Sequence, residues 1–158
     1  MTAHQSRAPE DRGRNSRTGE STLQVRGILE TALYVKDPRR SADFYRRVFG
    51  FPVLLESERL IALDVSGRSV LLLFKQGATT EAFATSGGTI PGHWGNGQTH
   101  FAFAVTTQDL PAWRRRFAAE EIPIESEVDW PEGAISIYFR DPDGHLAELI
   151  TEGFWRNY

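Results

Sequence analysis

Past residue 24 the polar and apolar positions become strongly periodic, and the period switches in a fixed order. Ile28 to Val35 reads as a strand that ends at the turn-prone Lys36-Asp37-Pro38. Ser41 to Phe49 places Ala42, Phe44, Tyr45, Val48 and Phe49 at helical spacing, and Gly50 stops that helix. Three short strands follow: Pro52 to Glu56, Leu60 to Val65 and Ser69 to Phe74, the last two joined at Ser66-Gly67-Arg68. The order is β-α-β-β-β.

The second half repeats it. Thr99 to Val105 is a strand, and a helix from about Asp109 to Glu120 carries Leu110, Trp113 and Phe117 on one side. Ile122-Pro123-Ile124 opens the next strand, as Phe51-Pro52-Val53 does in the first half. Ala134 to Phe139 and His145 to Ile150 close the series around Asp141-Pro142-Asp143-Gly144. Each half alone is too small to bury both faces of its sheet. The expected fold is therefore α+β: two pseudo-symmetric βαβββ modules forming a curved eight-stranded half-barrel around a cavity lined by alternate residues. The cavity can form within one chain or between two. The expected organisation is a disordered leader over 1–24, a first module over 25–77, a linker loop over 78–97, and a second module over 98–158 with an aromatic tail. Phe154, Trp155 and Tyr158 in that tail are expected to cover the other half or a partner subunit, which favours a homodimer.

Composition narrows the functional classes. Of 158 residues, 40% are hydrophobic and 11% aromatic, enough for a real core, and none is cysteine. Disulfides, thiolate zinc sites and cysteine nucleophiles are thereby excluded. A net charge of −3 gives no general attraction to nucleic acid or anionic membranes. No apolar run approaches the roughly 20 residues that span a bilayer, and the start carries no secretory signal. A soluble cytoplasmic protein with a small-molecule partner is expected.

Three polar residues interrupt otherwise apolar strands. Glu30 and His100 open the first strand of each module, and superposing the repeats places one on the other without a gap. Glu148 sits inside Leu146-Ala147-Glu148-Leu149-Ile150. Burying an unpaired carboxylate costs several kcal/mol, about 3 or more, and a cation would compensate. The symmetry of the repeats would bring the three together as imidazole and carboxylate ligands of one divalent ion. Taken singly, each has a plainer reading: Glu30 as a charged gatekeeper on an edge strand, His100 as a hydrogen-bonded core histidine, Glu148 as a partner of Arg140.

The residues also carry a resemblance. Asp37-Pro38-Arg39-Arg40-Ser41-Ala42-Asp43-Phe44-Tyr45 with Phe49-Gly50-Phe51, then Thr99 to Val105, then Tyr138 to Leu149 around the Asp-Pro-Asp-Gly turn, resemble the vicinal-oxygen-chelate superfamily. That group includes glyoxalase I, bleomycin-resistance proteins, fosfomycin-resistance transferases and type I extradiol dioxygenases. The resemblance implies metal ligands at Glu30, His100 and Glu148, with open positions for substrate oxygens. Two positions depart from the pattern. Glutamate stands where histidine or glutamine is usual, and Leu72 (or Leu71) stands where glyoxalase I carries a further metal-binding glutamate. One histidine with two glutamates is a hard ligand set, better suited to Mn, Zn, Ni or Mg than to oxygen-activating Fe.

The expected activity is thus lyase or isomerase chemistry on a small substrate with neighbouring oxygens. Glu30 would act as ligand or proton-abstracting base, Tyr138 as an inward hydroxyl donor or equally a core-packing residue, and His93 and Trp94 as a substrate-facing wall of the linker or, as the plainer reading, an ordinary surface loop. Two alternatives remain: a metal-free binding protein that sequesters a hydrophobic or cationic drug, with Glu30 as counter-ion, and an extradiol-type dioxygenase requiring Fe(II).

Overall fold

The computed structural model describes residues 23–158. Apart from Leu23 and Gln24, which are exposed coil, the leader expected over 1–24 lies outside the described residues. The first module runs β1 (Glu30–Val35), α1 (Pro38–Phe49), β2 (Val53–Glu56), β3 (Leu60–Val65) and β4 (Ser69–Lys75). A short hairpin, β5 (Phe83–Thr85) and β6 (Gly88–Ile90), occupies part of the stretch read as linker. The second module runs β7 (His100–Val105), α2 (Leu110–Ala119), β8 (Ser126–Asp129), β9 (Ile135–Arg140) and β10 (Leu146–Thr151).

The helix α1 begins three residues earlier than its apolar period suggests. Asp37 is its N-cap, accepting from the Arg39 and Arg40 amides at 3.0 and 3.3 Å, and Pro38 takes the first helical position. Asp-Pro reads as a turn, yet here it starts a helix. At the other end Gly50 adopts φ 74° and its N–H closes on Arg46 O at 2.9 Å, a left-handed cap that disfavours a side chain. In the second module the strand expected at Ile122 begins only at Ser126. Pro123 has no N–H to give a ladder, and Ile122 is buried as an anchor instead.

Each module forms its own four-stranded sheet, ordered β1-β4-β3-β2 and β7-β10-β9-β8, with the first strand parallel to the last in both. These are the curved, unclosed sheets of the expected α+β architecture. Within one chain no strand pair joins them, so β1 and β7 each keep a free edge among the described residues. Alternation decides the faces. Leu33 and Val35 turn inward, leaving Glu30, Ala32 and Tyr34 on the open face. In β7, Phe101, Phe103 and Val105 turn inward and His100, Ala102 and Ala104 outward.

One hydrophobic cluster runs through both modules. Phe49, at the end of α1, meets Phe51 and, from the second module, Phe103, Trp113, Phe117 and Phe139 at ring-centroid distances of 5.1–6.3 Å. A buried polar joint accompanies it. Tyr45 Oη donates to Asp141 Oδ2 (2.9 Å), Ser41 Oγ donates to Asp143 Oδ2 (2.9 Å), and the Lys36 amide donates to Asp143 Oδ1 (2.8 Å). Burial and the neighbouring Asp141 charge push the Tyr45 hydroxyl well above its ordinary value, and burial pushes the Asp141 carboxyl up as well. His145, also buried, accepts the Thr99 amide at Nδ1 (3.1 Å) and donates from Nε2 to Tyr34 O (3.3 Å). It thereby ties the end of β1 to the start of β7. Among the described residues no helix is long and apolar enough to cross a membrane.

Candidate metal centre

Glu148 is the organising residue. It lies in the middle strand pair of the second sheet, opposite Ala102 of β7 and Tyr138 of β9, with its side chain only 6% exposed. Oε1 accepts a short hydrogen bond from Ser136 Oγ, whose oxygen in turn accepts from Trp130 Nε1 at 2.8 Å. The carboxylate is therefore held from behind by a two-bond chain, which leaves Oε2 facing the open side.

Oε2 faces His100 Nε2 at 3.3 Å. The other ring nitrogen, Nδ1, lies 3.1 Å from Leu146 O. A carbonyl oxygen can only accept, which places a ring proton on Nδ1 and turns Nε2 toward Glu148. An imidazole nitrogen and a carboxylate oxygen thus meet at a separation that a proton or a cation can bridge. The carbonyl contact on the far nitrogen is also the usual way a metal-binding histidine is oriented. His100 is 51% exposed, so it is reachable from solvent and is not a core histidine. The donor set, one imidazole nitrogen and one carboxylate oxygen, fits a divalent ion.

Glu30 is not part of this cluster. It opens β1 on the first sheet, opposite Val70, and is exposed. Among the described residues no three histidine, aspartate or glutamate side chains of one chain stand close enough to hold an ion. The single-chain convergence of Glu30, His100 and Glu148 is thus not what the structure displays. The two modules meet through the Phe49 cluster. Arg140 does not pair with Glu148 either, because its guanidinium binds Glu125 at 2.6 and 3.1 Å. In the first sheet Leu72 occupies the place of Glu148: both stand opposite the alanine, Ala32 or Ala102, two residues after the polar opening residue.

Tyr138 stands beside Glu148 on the open face, its ring 6.2 Å from that of His100. Burial raises its hydroxyl above the ordinary value; Ser136 pulls the other way and the Glu148 charge adds to the rise. It remains a proton donor at neutral pH. His93 lies on the first module instead. Its Nδ1 is 2.7 Å from Tyr34 Oη and its ring meets Phe74 edge-on at 4.8 Å. Gly95 lets this loop lie on Tyr34, since a Cβ there would come within 2.6 Å of the ring. Trp94 is 65% exposed and His93 half-buried, so the loop joins the first sheet's open face, not the His100 cluster. Ser136 and Trp130 were not singled out from sequence. Ser136 at two-residue spacing from Tyr138 was the available signal, but a serine in a strand says nothing alone.

Duplicated βαβββ modules with polar residues at equivalent places on two open sheet faces define a class of cavity-forming proteins. Residues 27–149 match the model of the Glyoxalase/Bleomycin resistance protein/Dioxygenase superfamily, and the chain belongs to that superfamily. Metallothiol transferase FosB of Bacillus licheniformis is 29% identical over 129 residues, spanning 81% of this chain and 77% of the relative. The crystal structure of lactoylglutathione lyase from Agrobacterium tumefaciens is 37% identical with a TM-score of 0.77, covering 85% of this chain and 99% of that one. The fosfomycin resistance protein FosX of Listeria monocytogenes superposes with a TM-score of 0.61 over 83% of this chain and 97% of its own. At 19% identity that last likeness speaks for the fold alone.

Proposed function

We propose that the protein is a divalent-metal-dependent enzyme of lyase or isomerase type, acting in the cytoplasm on a small substrate with neighbouring oxygens. The single observation that carries the reading is the apposition of two metal-capable atoms, His100 Nε2 and Glu148 Oε2, at 3.3 Å. Similarity to a lactoylglutathione lyase structure and to metallothiol transferases supports it. The working unit is a homodimer, in which Glu30 of a second copy completes the ligand set. Its support is the free edges of β1 and β7, the exposure of Glu30, and the exposed Ile28, Leu29, Leu54 and Leu55 on the first module.

A bound ion supplies Lewis acidity to the substrate oxygens. The chain's own groups do the rest. Ser136 and Trp130 fix Glu148, the Leu146 carbonyl fixes the tautomer of His100, and Tyr138 offers its proton to a substrate oxygen. The exposed Glu30 carboxylate takes a proton from the substrate carbon beside a carbonyl. The ligand set of one histidine and two glutamates favours Mn, Zn, Ni or Mg.

Elemental analysis of protein purified without chelators tests this. One equivalent of a divalent metal per chain, lost in His100→Ala, is expected. Metal-free, folded protein refutes the enzyme reading and leaves a ligand-sequestering protein, with His100 as an imidazolium paired to Glu148.

A further inference from the structure

A cavity lies between the two modules. It has a volume of about 570 Å³ and sits between β1 and β4 of the first module and β7 and α2 of the second. None of Glu30, His100, Tyr138 or Glu148 lines it. Its walls are aromatic: Phe49, Phe51, Phe101, Phe103 and Trp113. Four of these, Phe49, Phe101, Phe103 and Trp113, pack against the central cluster yet are only partly buried. Protein interiors normally fill such space to crystal-like density, so ring faces left open in this cleft forgo dispersion contacts that an occupant would restore. The volume falls within the about 300–1,000 Å³ typical of small-molecule sites.

One edge of the cavity is polar. The β3–β4 turn contributes Ser66, Arg68 and Ser69. That turn is rigidly formed: Ser66 and Gly67 hold φ 57° and 66°, and Asp64 Oδ1 accepts the Gly67 amide at 2.8 Å. Arg68 has no ion pair among the described residues. The cavity thus combines a ring-lined apolar body with one cation and two hydroxyls at its rim.

We propose that this cavity is a second, metal-independent ligand site that takes an amphiphilic monocarboxylate. The carboxylate is held by Arg68 with Ser66 and Ser69, and the aliphatic or aromatic body lies among the five rings. The charge pattern selects an anionic head, because a guanidinium donates in a fork that matches carboxylate geometry. The site does not depend on the His100 cluster, so it stands or falls separately from the proposed enzymatic function.

Calorimetric titration of the full chain with decanoate tests it. Saturable binding of one decanoate per chain is expected, unchanged in His100→Ala and weakened about 10-fold or more in Arg68→Gln, the loss appropriate to a charge-assisted contact. Decanol should bind both the wild type and Arg68→Gln with equal affinity. Arg68 is exposed, so its replacement leaves the fold intact, and an unchanged thermal midpoint confirms that. Three results overturn the proposal: no saturable binding, an Arg68→Gln affinity equal to wild type, or loss of binding in His100→Ala.

Discussion

Replacing Ser136 with alanine isolates the support behind Glu148. Ser136 is fully buried; its hydroxyl donates to Glu148 Oε1 and accepts from Trp130 Nε1. Ser136→Ala removes both bonds at once. The indole N–H is left half-buried without an acceptor, at about 1–3 kcal/mol, and a buried carboxylate loses a hydrogen bond worth about 1.5–3 kcal/mol. Some of this is recovered as Glu148 turns toward water, so a net loss of about 2–4 kcal/mol is expected. The freed carboxylate can rotate away from His100, and loss of such outer support typically weakens metal binding about 10- to 100-fold. Urea unfolding gives the first quantity, and competition for Zn²⁺ against a chromophoric chelator gives the second. Ser136→Cys nearly preserves the volume but not the donor strength, so it should resemble Ser136→Ala in metal affinity while recovering part of the stability. Wild-type zinc affinity in Ser136→Ala, with the wild type itself binding one zinc, refutes the positioning role.

Two further outcomes are expected. Tyr45→Phe leaves Asp141 Oδ2 without its donor and should destabilise the protein by about 1–3 kcal/mol at pH 7; because the folded-state pKa of Tyr45 is raised, its contribution is fully present below the ordinary tyrosine value and is lost as pH climbs through the folded one. Urea unfolding at pH 7 and above pH 10 should show the gap between Tyr45→Phe and wild type narrowing, and a constant gap contradicts it. If metal sites are shared between copies, mixing Glu30→Ala chains with His100→Ala chains should restore about a quarter of the wild-type sites, since half the dimers are mixed and each mixed dimer holds one intact site; metal content of the refolded mixture that stays at zero excludes the shared arrangement.

The sheets, both helices and the duplication were legible because apolar positions repeat at two residues in one stretch and near 3.6 in the next. Sequence and structure part where one residue pair supports two local structures. Asp37-Pro38 serves equally as a turn and as a capped helix start, and only the Arg39 and Arg40 amides decide between them. The hairpin at Phe83–Ile90 hid inside Gly- and Thr-rich sequence that carries no alternation. For the site, the proximity of His100 and Glu148 could be anticipated, because their strands recur as first and last in each module. Ser136 and Trp130 could not, since they reach Glu148 only through the β9–β10 register and the turn before β9. Nor does periodicity reveal that the end of α1 packs its Phe49 ring against the second module.

The place of Phe49 has a consequence for how the molecule is built. Although the chain spells one pattern twice, the ring that ends the first helix is packed by four aromatic side chains from the other half. A fragment cut at residue 77 would carry that ring into water and strip the remaining half of its filling. The two repeats thus share one core, and parting them would open it on both sides.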